Sequence, residues 1–437
     1  MERKIYKDLL EWKKKNIEKP LMVIGARQVG KTYVIREFCE KEFENYVYIN
    51  LFDNQDIVEL FERKISIVEK INMLKIIIKD TQKIEINFEN TIIFFDEVQE
   101  SEDIISSLKY FNESEVPYKI ICAGSLLGVK LNRLKKAFPV GKVEMLNMYP
   151  MDIEEFLLAT LGSDIIDMIK EHYEQNTPIL DIMHDKLLAL YRLYLCIGGM
   201  PESVNNIMEV ERDILKYNKN IIKNIIKGYL SDMKKYVTDA TETVRIEQIY
   251  NSIPNQIGNK SNKFQYSSVH KGARSKNYET ALSWLLSSKL VNKICLLPSP
   301  QIPPNAFKDD EIFKLYIGDV GILNSLLDIN FEDIILDKEF IYKGDITENY
   351  INQQLNVNFE NIYYWQSTNT AEVDFIIYNN DGIIPIEVKA GDSVKAKSLQ
   401  VYMKRYNPKY GIKICTKNFG FSNGVKTIPL YAAFLIK

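Results

Sequence analysis

The chain has 437 residues, of which 46% are hydrophobic and 26% charged, and its formal net charge is −3. This length exceeds one hydrophobic core, so two to four domains are expected. The near balance of charge excludes a global basic field, so any nucleic-acid surface must be local.

No apolar run approaches the length of a membrane span, and the charged N-terminus lacks a signal-peptide core. The five scattered cysteines form no C-x-x-C pair, which indicates reduced core residues in a cytoplasmic protein without a membrane partner.

The first motif is a glycine-rich loop, residues 25–32, that fits the pattern G-x-x-x-x-G-K-[ST]. An apolar run at residues 21–24 predicts a strand before the loop, and residues 33–43 predict a helix after it. This context is typical of a Walker A loop, which binds the phosphates of ATP. We expect Lys31 to contact the outer phosphates and the Thr32 hydroxyl to hold Mg²⁺. The predicted nucleotide-binding residues are Gly25, Ala26, Arg27, Gln28, Val29, Gly30, Lys31 and Thr32.

Residues 92–97 form an apolar run that ends in Asp96 and Glu97, which is the Walker B pattern. An unbroken apolar run is expected of a parallel strand covered on both faces. We expect Asp96 to hold Mg²⁺ through its water shell and Glu97 to polarise the water that attacks the γ-phosphate. The alternative is a buried strand that simply ends in two acids.

Three more strands, at residues 46–51, 118–123 and 143–148, would complete a five-stranded α/β sheet. Ser125 follows the second of them and is a candidate sensor of the γ-phosphate, although a plain Gly-Ser turn is the alternative. Arg133, near Lys135 and Lys136, is a candidate arginine finger that would reach a neighbouring copy in a homo-oligomer. The alternative is a solvated basic loop.

The middle of the chain predicts helices around residues 152–157 and 185–196, followed by two glycines and a proline at 198–201. We interpret this segment as a helical lid over the nucleotide. Four lysines then recur with helical spacing, which predicts either a stripe that contacts phosphates or a solvated helix face. These lysines are Lys216, Lys219, Lys223 and Lys227.

Residues 244–257, 264–269 and 275–287 predict three helices, and residues 290–297 predict a strand, in the order of a winged helix. Lys271, Arg274 and Lys276 lie where such a domain would meet a DNA backbone. A protein–protein module is the alternative for this segment.

The second constellation lies near the C-terminal end of the sequence. Asp374 lies in a predicted strand at residues 372–377, and Glu387 and Lys389 lie in the next strand, residues 383–389. Alternation along a strand places Glu387 and Lys389 on one face, towards Asp374. Glu348 lies early in a helix upstream. We expect Asp374 and Glu387 to bind Mg²⁺, with Glu348 as an outer ligand.

In that site Lys389 would orient water or stabilise the phosphate during phosphodiester hydrolysis. Two alternatives stay open: a hairpin edge with alternating charges, and a nuclease-like fold that has lost its activity.

These blocks together resemble a prokaryotic family of AAA-type P-loop ATPases, along essentially the whole chain. The resemblance implies an α/β multidomain architecture: an AAA-type core (1–160), a helical lid (161–240), a winged helix (241–300) and a restriction-endonuclease-like domain (301–437). The PD-(D/E)xK set of that last domain corresponds to Glu348, Asp374, Glu387 and Lys389. Residues 370–372 precede Asp374 in place of the motif's proline. The matching blocks are residues 25–32, 92–99, 124–128, 138–142, 149–157, 198–202, 314–321 and 347–350.

The predicted function is ATP binding and hydrolysis with Mg²⁺, in which the nucleotide cycle gates a nuclease-like domain that acts on nucleic acid, with DNA the expected partner. The alternative is a nucleotide-dependent binding switch whose silent nuclease-like domain recognises DNA or a protein partner. A third, weaker option is a protein-remodelling ATPase whose winged helix holds a client.

Overall fold

The computed structural model describes residues 1–15, 19–87, 90–112, 119–132, 141–237, 239–258, 263–367, 371–391 and 396–437. The chain forms two compact units, Met1–Tyr149 and Pro150–Lys437. The four-part division expected from the sequence, with boundaries near residues 160, 240 and 300, is finer than this two-part division and stays a prediction.

The first unit is built on a parallel sheet. Its strands are β1 (Leu21–Ile24), β2 (Asn45–Asn50), β3 (Thr91–Asp96), β4 (Lys119–Gly124) and β5 (Glu144–Asn147). Within the described residues they form one sheet in the order β2–β3–β4–β1–β5. The predicted five-stranded α/β core is therefore confirmed. The strand that separates β1 from β3 is β4, whereas β2 lies at the sheet edge.

Helices cover this sheet on both faces. They are α1 (Ile5–Lys14), α2 (Lys31–Glu42), α3 (Gln55–Glu62), α4 (Ile67–Thr81), α5 (Glu102–Asn112) and α6 (Leu127–Asn132), with a 3-10 turn at Val98–Glu100. β3 is buried along its whole length. Its side chains alternate between the faces: Ile93 and Phe95 pack in a core with α3, α4 and α5, and Phe94 contacts Tyr48. An apolar strand suits this position because both of its faces are dry.

The second unit begins with a run of helices. They are α7 (Ile153–Leu161), α8 (Ser163–Gln175), α9 (Asp181–Ile197), α10 (Pro201–Glu209), α11 (Asn220–Tyr236), α12 (Ala240–Ile257), α13 (Tyr266–Val269) and α14 (Ser275–Ser287). Asp152 and Glu155 form a capping box that begins α7. Pro201 occupies the first turn of α10, where its missing N–H costs no hydrogen bond. The helices predicted around these residues are confirmed.

The rest of the second unit is an α/β layer. Its strands are β6 (Val291–Leu296), β7 (Asp309–Ile317), β8 (Tyr363–Gln366), β9 (Glu372–Asn379), β10 (Gly382–Val388), β11 (Gly411–Cys415), β12 (Gly420–Ser422) and β13 (Val425–Pro429). Its helices are α15 (Val320–Leu326), α16 (Phe331–Ile335), α17 (Lys343–Asn358) and α18 (Lys397–Tyr406), with 3-10 turns at Pro304–Ala306 and Leu430–Leu435.

The described strands of this unit form one mixed sheet in the order β12–β13–β11–β10–β9–β8–β6–β7. β9 and β10 are an antiparallel hairpin, and β10 pairs in parallel with β11. The strand predicted at residues 290–297 is present as β6. It pairs with both β7 and β8, so it belongs to this large sheet.

A buried polar joint connects the helical run to this sheet. Oδ2 of Asp319 accepts a hydrogen bond from the Gly199 amide at 2.7 Å, and Oδ1 accepts one from the Ile322 amide at the start of α15. Gly198 has φ +69°, and a Cβ there would lie 2.2 Å from Oδ1 of Asp319. Only glycine fits that position. Burial raises the pKa of Asp319 to about 6, although these amide donors favour its charged form.

All five cysteines are buried and none forms a disulfide, as the sequence predicts. Among the described helices, none combines the length and apolar composition needed to cross a bilayer.

Candidate functional sites

The glycine-rich loop joins β1 to α2, so it lies at the carboxyl edge of the sheet in the first unit. Gly30 has φ +95°, a left-handed conformation that glycine adopts without strain. A Cβ on Gly25 would lie 2.1 Å from the Met148 carbonyl oxygen. The guanidinium of Arg3 donates to the carbonyls of Val29 and Tyr149, both at 2.7 Å. The loop is therefore held in place by its glycines and by a residue that sequence analysis missed.

Lys31 is buried and lies against the loop that precedes it. Its Nζ donates to the carbonyl oxygens of Gly25 at 2.8 Å and Ala26 at 2.7 Å. Burial lowers the pKa of Lys31 to about 8, although the carboxylates of Glu97 and Asp96 oppose that shift. The two loop carbonyls accept hydrogen bonds from the ammonium group here. Phosphate oxygens would be stronger acceptors for it.

Asp96 collects three hydrogen bonds at the end of β3. Oδ2 accepts from the Thr32 hydroxyl at 2.8 Å and from the Tyr48 hydroxyl at 3.1 Å, and Oδ1 accepts from the Glu97 amide at 3.0 Å. Burial raises the pKa of Asp96 despite these donors. The Walker A hydroxyl and the Walker B carboxylate are thus in direct contact, which supplies two hard oxygen ligands of the type that Mg²⁺ takes.

Tyr48 is a second residue that sequence analysis missed. Burial, followed by the charge of Asp96, raises the pKa of Tyr48 to about 12, so its hydroxyl stays a donor at neutral pH. Alternation places Tyr48 and Asn50 on one face of β2, but only the parallel pairing of β2 with β3 brings the Tyr48 hydroxyl to Asp96.

Glu97 has φ +52°, which turns its backbone out of β3. The side-chain amide of Gln99 donates to Oε2 of Glu97. Gln99 is itself buried against Gly124, where a Cβ would lie 2.2 Å from its Oε1. The carboxylate of Glu97 is therefore oriented by a neighbour that sequence analysis did not single out.

Ser125 directly follows β4, and Gly124 pairs in register with Ile24, the residue before the loop. Ser125 thus lies at the same sheet edge as the loop, which is where a sensor of the γ-phosphate is needed. The candidate arginine finger Arg133 and its neighbours Lys135 and Lys136 lie outside the described residues.

In the second unit, α17, β9 and β10 bring four predicted residues to one cavity of about 400 Å³. Glu348 projects from α17, Asp374 from β9 and Glu387 from β10, and Lys389 lies just beyond β10. The convergence expected from strand alternation is thus observed, although the roles of these residues stay predictions. Thr370, which precedes Asp374 near the motif's proline position, lies outside the described residues.

Two residues of β7, Lys314 and Tyr316, complete this cavity and were not predicted as site residues. Nζ of Lys314 lies 3.0 Å from Oε1 of Glu348 and 2.6 Å from Oε1 of Glu372. The Tyr316 hydroxyl donates to Oε1 of Glu348. Burial lowers the pKa of Lys314, but the surrounding carboxylates outweigh burial and raise it well above its usual value. Their spacing of two on a strand places them on one face, but only the assembled sheet brings that face to Glu348.

The predicted lysine and carboxylates also contact one another. Nζ of Lys389 lies 2.8 Å from Oε1 of Glu387, and Oδ2 of Asp374 accepts from the Val388 amide at 2.7 Å. Burial, and then the charges of Glu348 and Glu387, raise the pKa of Asp374 well above its usual value. The pKa of Lys389 is raised because Glu387 and its neighbours outweigh burial.

The cavity has an excess of acidic groups. Since five carboxylates and three lysines line it, the excess is two negative charges if all are ionised. Among the described residues no donor reaches Oε2 of Glu387, although this atom is buried. The lining groups are Asp345, Glu348, Glu372, Asp374, Glu387, Lys263, Lys314 and Lys389.

A divalent cation would match both the excess charge and the unpaired oxygen. In the part of the chain that the structure describes, however, no three His, Cys, Asp or Glu residues are grouped closely enough to hold a metal ion. Lys314 forms ion pairs with Glu348 and Glu372, and Lys389 forms one with Glu387. The assignment of Asp374 and Glu387 as Mg²⁺ ligands therefore stays a prediction, which the unpaired Oε2 of Glu387 supports.

The basic residues of the middle segment differ from the expected pattern. α11 begins at Asn220, so Lys216 and Lys219 precede it, and the predicted four-lysine helix face is wrong. Lys216 pairs with Asp213 in a turn, and Lys219 lies over the ring of Phe331. The three basic residues predicted for the winged helix are exposed around the start of α14. They are Lys271, Arg274 and Lys276.

Residues 17–157 match a family model described as an AAA domain. Together with the parallel sheet, the glycine-rich loop and the contact of Thr32 with Asp96, this match defines the first unit as a P-loop ATPase domain of the AAA type. Residues 188–333 match a domain of unknown function (DUF8612), and residues 343–433 match another (DUF4143). No curated protein matches the chain.

Several solved structures are similar to the chain. The Walker-type ATPase PABY2304 of Pyrococcus abyssi is 17% identical, with a TM-score of 0.46, over 75% of this chain and 95% of that one. The Aeropyrum pernix ORC2 protein in its ADPNP–ADP complexes is 11% identical, with a TM-score of 0.37, over 76% and 92%. The Thermotoga maritima RuvB Holliday junction branch migration motor is 11% identical, with a TM-score of 0.31, over 78% and 96%. All three TM-scores are too low to support an argument about function.

Proposed function

We propose that the first unit binds ATP with Mg²⁺ and hydrolyses its γ-phosphate. The observation that supports this most directly is the 2.8 Å contact between the Thr32 hydroxyl and Asp96, because these two groups would hold the ion. Lys31, released from the loop carbonyls, would bind the outer phosphates. The remaining loop residues would surround the phosphates with backbone amides.

In this proposal Glu97 accepts the proton of the attacking water. The water oxygen forms a bond to the γ-phosphorus, and the bond from that phosphorus to the ADP oxygen breaks. Ser125 would contact the γ-phosphate from the neighbouring strand. Lys31 would balance the charge that develops on the departing ADP. Bound Mg²⁺ supplies further neutralisation of the phosphates.

For the second unit we propose a nuclease-like site that hydrolyses a phosphodiester bond in nucleic acid, with DNA the favoured partner. The proposal rests on the meeting of Glu348, Asp374, Glu387 and Lys389 in one acidic cavity. Asp374 and Glu387 would hold Mg²⁺, with Glu348 as an outer ligand. Lys389, beside Glu387, would donate a hydrogen bond to a phosphate oxygen. The water oxygen would bond to the phosphorus and give up a proton, the bond from phosphorus to the sugar oxygen would break, and that oxygen would take up a proton.

The helices of residues 161–240 would act as a lid, and residues 241–300 as a winged helix that guides nucleic acid. We further propose that nucleotide turnover gates the nuclease-like site. The presence of two complete sets of catalytic residue types on one chain motivates this coupling. A homo-oligomer, in which one copy completes the ATP site of another, is part of the same proposal.

A second candidate function is a nucleotide-dependent binding switch. Two observations favour it: Lys314 and Lys389 already form ion pairs with three of the carboxylates, and no three-residue metal cluster occurs among the described residues. In that case the second unit recognises DNA or a protein partner and cuts no bond.

The deciding experiment measures cleavage of plasmid, linear single-stranded DNA and RNA with Mg²⁺ or Mn²⁺, with and without ATP. The wild type is compared with a Glu387→Ala/Lys389→Ala double variant and with Lys31→Ala. Cleavage that the double variant loses, and that depends on ATP and Lys31, supports the gated nuclease. Intact ATP hydrolysis without cleavage of any substrate favours the switch. Unchanged ATP turnover in Lys31→Ala contradicts the ATPase proposal.

A further inference from the structure

We infer that the acidic cavity of the second unit admits a single unpaired nucleotide, and that Phe264 stacks on its base. The site is therefore specific for single strands, overhangs or locally opened duplex, and excludes a continuous duplex. This inference deepens the nuclease-like site proposed above and rests on it. It follows from the depth of the acidic groups, from one aromatic wall and from the volume of the cavity.

The acidic groups lie at depth. Only 5% of the Glu387 side chain and 14% of the Glu372 side chain are exposed, compared with 30% of the Lys389 side chain. Lys263 is exposed and lines the same cavity. Lys263 and Lys389 are therefore more accessible to an incoming phosphate than Glu372 and Glu387.

Part of the cavity wall is apolar and aromatic. Ile253 and Ile257 of α12 and the ring of Phe264 line the cavity. Phe264 is half-buried, and its ring stacks on Phe313 with 5.6 Å between centroids and 18° between planes. A stacked pair presents its outer ring as a flat platform of the kind on which nucleic-acid bases stack.

This wall is also rigid. The Phe264 amide donates to the Phe313 carbonyl at 2.7 Å, which fixes the residue to β7. The next amide, that of Gln265, donates to Oε1 of Gln256 on α12 at 2.7 Å. The ring of Tyr266 meets Phe264 edge-on. A ring held in place before the ligand arrives loses little conformational freedom on binding.

The volume sets the size of the ligand. A cavity of about 400 Å³ lies at the lower end of the range of about 300–1,000 Å³ found for small-molecule sites. It suits one nucleotide with its phosphate. In a duplex each base is stacked and paired, so its faces are closed to Phe264 unless the nucleotide leaves the stack at a cost in free energy. An unpaired nucleotide has no such cost.

The test measures binding by fluorescence anisotropy of labelled DNA to the full chain. The probes are a short single strand, the matching blunt duplex, the same duplex with an unpaired overhang, and an RNA strand of the same sequence. Ca²⁺ replaces Mg²⁺ so that the probes stay intact, since it takes the same oxygen ligands at longer distances. The variants are Phe264→Leu, which keeps an apolar side chain but loses the ring, and Phe264→Tyr, which keeps the ring. Phe421→Ala removes an exposed aromatic ring of β12 and serves as the control.

We expect the single strand and the overhang to bind at least about tenfold more tightly than the blunt duplex. Phe264→Leu should abolish that preference, and Phe264→Tyr and Phe421→Ala should retain it. The RNA probe distinguishes the two sources of an unpaired nucleotide.

Equal binding of blunt duplex and single strand, or an unchanged preference in Phe264→Leu, overturns this inference. If duplex cleavage that depends on Glu387 and Lys389 accompanies that result, the nuclease-like function stands without it. Failure of every probe to bind, with either cation and with ATP present, overturns both the inference and the proposed nucleic-acid function.

Discussion

Nζ of Lys314 lies 2.6 Å from Oε1 of Glu372, and their side chains are only 13% and 14% exposed. The same ammonium group contacts Glu348, so one buried cation forms ion pairs with two carboxylates of the candidate site. A buried charge without a partner costs free energy, because it has lost its hydration and no opposite charge replaces it. Lys314, which sequence analysis missed, is therefore the group that balances the charge of these buried carboxylates in part.

Lys314→Met should destabilise the second unit by about 3–5 kcal/mol, because it leaves Glu348 and Glu372 without their buried partner. Urea unfolding measures this in a Trp12→Phe background, in which the remaining tryptophan fluorescence comes from Trp284 and Trp365 of the second unit. Adding Glu372→Gln should recover part of the loss. The control is Lys409→Met, which breaks the more exposed pair with Asp381 and should change the free energy of unfolding much less. A loss of similar size in both variants would show that burial of the Lys314 pair has no special effect.

ATP binding should take up a proton in the pH range just above 8. Burial lowers the pKa of Lys31 to about 8 in the nucleotide-free protein, so the amine is mostly neutral there. Phosphate oxygens favour the ammonium form and raise that pKa on binding. Calorimetry in buffers of different ionisation enthalpy measures the uptake. Below pH 8 it should fade, because Lys31 is already protonated. Lys31→Met should remove it at every pH, and uptake that persists in this variant would assign the proton to another group.

Gln99→Ala should lower ATP turnover about tenfold with little change in the Kd of ATP, because Gln99 donates to the Glu97 carboxylate and orients it. Glu97→Gln, which removes the base itself, should lower turnover by at least about 100-fold. Turnover and equilibrium binding are measured separately for each variant. Faster turnover in Gln99→Ala would mean that the amide restrains Glu97 in an unproductive orientation.

The stability of the second unit should fall as the pH rises from about 4 to 6, in part because of Asp319. Its pKa is raised from 3.8 to about 6 by burial, so the folded state binds the proton more tightly than the unfolded state. The contribution is fully present below pH 3.8 and is lost as the pH passes 6. At about 1.4 kcal/mol per pKa unit, the loss is about 3 kcal/mol.

Asp319→Asn should therefore flatten the curve of melting temperature against pH in this range. The comparison uses the slope of each variant, because the asparagine amide also disturbs the hydrogen bonds to Gly199 and Gln353. Asp381→Asn, which changes an exposed carboxylate whose pKa is lowered, is the control and should leave that slope in place. An identical slope in Asp319→Asn and wild type would exclude Asp319 as its source.

The ATP site illustrates what a sequence predicts well. Residues 25–32 are contiguous, and their chemistry depends on backbone amides and on the side chains of Lys31 and Thr32, so the spacing alone indicates the site. Walker B was indicated in the same way, by an unbroken apolar run that ends in Asp96 and Glu97. Tyr48 and Gln99 were missed because their contacts with Asp96 and Glu97 depend on the register of β2 and on a turn after β3.

The acidic cavity illustrates the opposite case. Strand alternation predicted that Glu387 and Lys389 share a face, and the predicted hairpin brought Asp374 to them. The position of β7 beside β6 was not predictable, because that pairing depends on which sheet edge remained open. Lys314 and Tyr316 could therefore be singled out only once the sheet was assembled.

Local sequence patterns predicted the strand–loop–helix nucleotide site, the buried parallel strands and four residues of the second candidate site. These features are local, since they depend on contiguous spacing and on the period of the secondary structure. The assembled structure was needed to see that Lys314 pairs with Glu348 and Glu372, that Asp319 bonds to Gly199 and that Phe264 lines the cavity of the carboxylates. Each of those contacts joins residues distant in sequence, and its free energy depends on burial, which no local pattern specifies.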